Sequence, residues 1–273
     1  MSDELKREDY EEPQCLLKMD KGEERPINAV PIRRVIEKLD EYLTKNDQAA
    51  AERHIKYWIG EAVAGRDNGA LLSLTSELMG FYRNNGRPEE AEKAAERGLE
   101  LMKAHGFEGT VTGATTLLNA ATAYKYVGKP ETAVKLYSQA KEIYEKHLKD
   151  DDYRLGGLYN NMALALVDIN RFAEAYGLYG KAVEVMKKCG GCEPEQAVTC
   201  LNAANAVEAE KGLEDGAEEI NGYLERAQEL MEAASRDKKQ YYAYYCDKCA
   251  PTFAYYGWFA YAEELKKRSE DFR

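Results

Sequence analysis

Apolar residues recur at helical spacing along most of the chain, from Pro31 onward. Val35, Ile36, Leu39 and Leu43 mark a first helical face, and Ala51, Ile55, Trp58, Ile59 and Ala62 mark a second. From Gly69 the pattern settles into paired helices joined by short turns. Leu74, Leu78 and Tyr82 lie on one face of a first helix, and a second helix begins at Pro88. Proline suits that place because the first helical turn needs no internal N–H donor.

The pairs repeat. Gly86-Arg87-Pro88-Glu89-Glu90-Ala91 returns 42 residues later as Gly128-Lys129-Pro130-Glu131-Thr132-Ala133, and again as Asn170-Arg171-Phe172-Ala173-Glu174-Ala175. Seven residues past each closing alanine stands a small residue, Gly98, Ala140 or Ala182, where neighbouring helices can approach closely. A fixed period in this range predicts stacked helical hairpins, none of which can bury its apolar face alone. The expected fold is all-α: a right-handed superhelical solenoid of stacked antiparallel hairpins, with first helices on its concave side. The expected organisation is a flexible or extended segment over residues 1–27 and a solenoid over 28–273. About six hairpins fill the latter, over about 28–64, 69–105, 111–148, 153–188, 194–234 and 238–272.

Two places depart from the period. Extra residues between Gly212 and Gly222 predict a longer turn or a distorted helix start in the hairpin that ends Ala227-Gln228-Glu229-Leu230-Met231. The last hairpin is crowded with aromatics, Tyr241-Tyr242-Ala243-Tyr244-Tyr245 and Tyr255-Tyr256-Gly257-Trp258-Phe259. They are expected to seal the end of the core, with a docking or dimer surface as the alternative.

The alternation of small and aromatic positions, the Gly-x-Pro-Glu-x-Ala turn and the paired helices resemble tetratricopeptide repeats. The 42-residue unit, with asparagine inside the first helix, is similar to the kinesin light chain branch of that superfamily. The resemblance spans roughly residues 28–272. The commonest form of the repeat is shorter, about 34 residues, and closes its second helix with a proline that is absent here.

That resemblance implies a peptide-binding groove. Asn119 and Asn161 each stand fourteen residues before a turn alanine, Ala133 and Ala175, and Asn202 matches them by local sequence. In the resembling family such asparagines face the concave groove and hold a ligand's backbone. A carboxamide offers both donor and acceptor, so it can grip a peptide bond whatever its side chain. Asn160, Asn205, Lys125, Tyr126, Arg83 and Asp168 are the neighbours expected to add selectivity. The alternative is that the asparagines only cap or bridge helices. Glu77 and Lys248 stand near the equivalent place in other hairpins, so the row covers the middle of the array.

Charge narrows the partner. A net charge of -11 argues against nucleic acid, whose phosphates are held mainly by lysine and arginine, and against anionic membrane surfaces. No run approaches the roughly 20 apolar residues of a membrane span, and Met1–Lys6 shows no signal-peptide core. A cytoplasmic location is the expectation. The six cysteines are then expected to be free thiols. Two pairs, Cys189/Cys192 and Cys246/Cys249, match half-sites of a zinc pattern but lie too far apart in a solenoid to share an ion. The Gly190-Gly191 pair reads as a helix-ending turn. His54, His105 and His147 accompany no nucleophile with an orienting acid, and no phosphate-binding glycine loop is present.

The sequence therefore predicts a non-enzymatic protein- or peptide-binding scaffold with no cofactor and no metal. A peptide-signal sensor is one rival, although the 27 leading residues are too few and too acidic for a DNA-binding segment. A structural homo-oligomer joined through the aromatic last hairpin is the other.

Overall fold

The computed structural model describes residues 26–272, which hold twelve α-helices and no strand. In chain order α1 (Ile32–Thr44) pairs with α2 (Gln48–Gly65) and α3 (Asn68–Asn84) with α4 (Pro88–Ala104), and α5 (Val111–Tyr126) and α6 (Pro130–His147) follow. Next come α7 (Tyr153–Val167) with α8 (Phe172–Lys188), α9 (Glu193–Asp215) with α10 (Ala217–Ala233), and α11 (Lys239–Tyr255) with α12 (Phe259–Asp271). Nearly all of the expected lead-in over 1–27 lies outside the described residues. Of its end, Ile27 donates its amide to the Gly65 carbonyl at 2.8 Å.

The recurring turn motif has a backbone cause. Gly86, Gly128 and Gly257 have φ of 68°, 77° and 84°, and Asn170 takes the same left-handed place at 59°. That conformation costs glycine nothing and asparagine little. It lets the next amide reach back five residues: Arg87 to Tyr82, Arg171 to Leu166 and Trp258 to Phe253, at 2.8 to 2.9 Å. Orphan carbonyls at the end of the first helix are thereby satisfied before the second begins. Side chains start other helices. Asp47, Asp67 and Thr110 accept the amides of Ala50, Ala70 and Gly113.

Packing divides the chain into two compact units with the boundary between Gly128 and Lys129. In the first, α3 packs on α2, α4 and α5. In the second, α7, α9 and α11 follow one another as neighbouring first helices, each paired with its own second helix. Small residues seat these contacts: Ala91, Ala95, Ala133, Ala140, Ala175, Ala182 and Ala227 are fully buried. Between them Tyr137 and Tyr144 fill space in α6 with almost no exposure.

The fourth hairpin is distorted as its extra residues predict. Gly212 breaks α9 with φ 81° and ψ 170°, and the chain closes again through Gly216 N–H to Gly212 O at 3.1 Å. In the last hairpin Tyr242, Phe253 and Tyr261 are buried in a core shared with Leu201, Leu224 and Met231. Tyr244, Tyr255 and Phe259 stay exposed.

The cysteines require one correction. Cys189 and Cys192 are joined as a disulfide rather than free, because left-handed Gly190 and Gly191 fold the α8–α9 turn and bring their Cα atoms to 6.2 Å. Cys200, Cys246 and Cys249 are free and buried. Burial pushes the Cys246 thiol up to about 11 and that of Cys249 up to about 12. Among the described residues no group of three or more His, Cys, Asp or Glu is arranged to hold a metal ion. No described helix is long and apolar enough to cross a membrane.

Candidate functional site

The candidate residues fall on first helices. Arg83 ends α3, while Asn119, Lys125 and Tyr126 lie on α5; all four belong to the first unit. Asn160, Asn161 and Asp168 lie on or at the end of α7, and Asn202 and Asn205 lie on α9, in the second unit.

In the first unit, α5 buries Gly113, Ala114, Thr116, Leu117, Ala120 and Ala121 against its neighbours. Asn119 lies outside that buried set and is half-buried, with Tyr126 two turns along at 42% exposure. Arg83 is turned back on its own helix end. Its Nε and Nη2 donate to Asn84 Oδ1 at 3.4 and 3.3 Å. His54, on α2 of this unit, sets its Nε2 2.9 Å from the Val35 carbonyl and joins α2 to α1.

The second unit brings its asparagines into contact. On α7, Leu155, Leu158, Tyr159, Ala163 and Leu166 are buried and leave Gly157, Asn160, Asn161 and Leu164 half-covered. On α9 the equivalent uncovered stripe is Val198, Asn202, Asn205 and Ala209. Asn202 Nδ2 donates to Asn160 Oδ1 at 2.9 Å, and Asn160 Nδ2 donates to Asn161 Oδ1 at 3.3 Å. The three carboxamides form a directed chain from α9 to α7. Its ends, Asn202 Oδ1 and Asn161 Nδ2, have no partner among the described residues. One end can accept a hydrogen bond and the other can donate one, the complement of a peptide unit's N–H and C=O.

Asn205 is differently placed. Its Oδ1 accepts from Tyr256, the residue that follows α11, at 3.0 Å, so the last hairpin already uses it. Asp168 caps the end of α7 with its own amide bonded to Leu164 O, at the helix terminus rather than beside the asparagine chain.

A second set of contacts escapes sequence reading. Tyrosines on α11 and at its C-terminal cap reach across to carboxylates of α9: Tyr241 to Glu195 at 2.5 Å, and Tyr255 and Tyr256 to Glu208 at 2.5 and 2.7 Å. Burial and then the Glu195 carboxylate push the Tyr241 phenol upward, and burial with Glu208 does the same for Tyr256. These phenols therefore stay protonated as donors. The only sequence signal was the density of tyrosines on α11, which does not say where the hydroxyls point.

Residues 71–146 match the family model for the tetratricopeptide repeat. No curated protein matches the chain in sequence. Among solved structures, BtubC (BKLC) from P. vanneervenii is similar with a TM-score of 0.63 at 20% identity, over 75% of this chain and 84% of that one. A putative kinesin light chain of Podosopora anserina with nearly identical TPR-like repeats is similar with a TM-score of 0.54 at 20% identity, over 75% of this chain and 95% of that one. At that identity the likeness is one of fold.

Proposed function

We propose that this tetratricopeptide-repeat chain, with its kinesin-light-chain-like helical repeats, is a non-enzymatic scaffold that captures a peptide segment against its first helices. Tetratricopeptide repeats are in general modules of protein–protein interaction, and the finer reading concerns where and how the partner is held. The observation that carries it is the chain Asn202–Asn160–Asn161, which ends in one unused acceptor and one unused donor. Internal bonds fix the orientation of both end groups, so little rotamer freedom is lost when a ligand backbone arrives. Asn119 offers the same group on the first unit, half-buried and outside the packed face of α5.

The test uses fluorescent peptides selected from an array on the wild-type protein, titrated against Asn161→Ala/Asn202→Ala. Each lost hydrogen bond is worth about 0.5–1.5 kcal/mol, so affinity is expected to fall about tenfold or more while the thermal midpoint shifts little. Unchanged affinity, or a midpoint that falls in step with binding, would show that the asparagines only tie α9 to α7.

A further inference from the structure

Resting on the groove reading above, we infer that the uncovered face of α9 and α11 takes a segment bearing lysine or arginine side chains. The ground is a pair of carboxylates on this face that tyrosine hydroxyls hold and no cation among the described residues meets, as Tyr176 also holds Glu210 farther along α9. Many glutamates away from this face meet cations: Glu52 meets Lys56 and Arg87, Glu174 meets Arg171, and Glu232 meets Arg236 and Arg268. Glu195 and Glu208 differ. Tyrosine hydroxyls hold both of them, and no lysine or arginine among the described residues lies within ion-pair distance of either. A phenol positions a carboxylate without cancelling its charge, so the face keeps two fixed negative charges beside aromatic rings.

Those rings are suited to a cation. Lys248 Nζ already lies 4.8 Å from the Tyr244 ring centroid on the uncovered side of α11. Lys238 Nζ lies 6.0 Å from the Tyr241 ring centroid, and the same attraction is open to an incoming ammonium or guanidinium at Tyr255, whose hydroxyl meets the Glu208 carboxylate. Glu195 and Glu208 are about 20 Å apart along α9, given a rise of about 1.5 Å per residue. An extended segment covers that distance in about six residues. Val198, Asn202 and Asn205 lie between them, so the asparagine chain borders the path. The net charge of -11 draws such a segment in at long range.

The experiment is fluorescence anisotropy with three labelled Gly/Ser peptides: one with two arginines about six positions apart, one with glutamates there, and one with neither. The arginine peptide is expected to bind most tightly, and more weakly as salt rises. Glu195→Gln and Glu208→Gln keep an acceptor for each tyrosine, so the fold is retained, and each is expected to weaken that peptide about fivefold to tenfold. Tightest binding of the glutamate peptide, or unchanged affinity in both glutamine variants, overturns the inference. Equal binding of the arginine and plain peptides, lost in Asn161→Ala/Asn202→Ala, overturns the charge selection and leaves the groove standing. Absence of binding by all three peptides counts against both.

Discussion

A methyl group placed on Gly98 meets the Met79 Cε at 2.2 Å, whereas one placed on Gly113 meets the Phe107 carbonyl oxygen at 2.1 Å. The two distances are alike and the consequences are not. Met79 presents the end of a flexible side chain that can swing aside. Phe107 presents backbone, held by its own amide bond to Met102 O at 2.9 Å and by the Thr110 amide on its carbonyl at 3.2 Å. Alanine gains about 1 kcal/mol over glycine within a helix. For Gly98→Ala that gain roughly offsets the repacking of Met79, so stability should stay within about 1 kcal/mol of the wild type. For Gly113→Ala the backbone clash wins by about 2 kcal/mol, and a calorimetric scan should show a midpoint lower by about 5 °C. The need for small residues at Gly98, Ala140 and Ala182 was legible from the period alone. Gly113 was not, because its crowding comes from an irregular turn outside the repeated motif.

At the scale of elements, Glu52 joins three helices. Its Oε1 accepts from Lys56 of its own α2 and from Tyr82 of α3, and its Oε2 accepts from Arg87 at the start of α4. The Lys56 hydrogen bond, with Arg87 beside it, lowers the Glu52 carboxyl from its ordinary 4.5 to about 2 against the opposing pull of burial. A depressed carboxyl contributes stability that is complete above its unfolded value and is lost as pH falls toward the folded one. Allowing for solvent screening, the contribution is about 1–2 kcal/mol. Glu52→Gln should therefore melt earlier than the wild type near pH 6, and the gap should close as pH falls from about 4.5 toward 2. A gap that stays constant across that range would show that Glu52 acts by packing alone. The helices that Glu52 joins were legible as amphipathic stretches with glycine, asparagine and proline punctuation. Its partners were not, since cross-helix pairs depend on how each helix is rotated about its axis. The same limit hid the tyrosine–carboxylate contacts of α11 and the direction of the Asn202–Asn160–Asn161 chain, although the asparagines themselves stood out by spacing.

For the whole molecule, the last hairpin both closes a core and dresses a face. Tyr242, Cys246, Phe253 and Leu265 cover Leu201, Leu224 and Met231, and Arg268 fixes α12 to Glu232 at 2.7 Å. A chain ending at Ala234 would expose that apolar surface, worth about 25 cal/mol for each Å² returned to water. Light scattering should then find larger species for the shortened chain than for the full one, and a lower melting midpoint. A full-length dimer that becomes a well-folded monomer on shortening would instead assign the aromatic hairpin to self-association. One irregularity has a use of its own. Ala227 follows Ala182 by 45 residues where Ala182 follows Ala140 by 42, yet Ala227 is as fully buried as the other two. The left-handed break at Gly212 and the exposed residues up to Asp215 absorb the surplus before it reaches the next packed helix. That hairpin tip is a natural port for foreign sequence. A fluorophore or a grafted epitope can enter there while the helices on either side keep their seats.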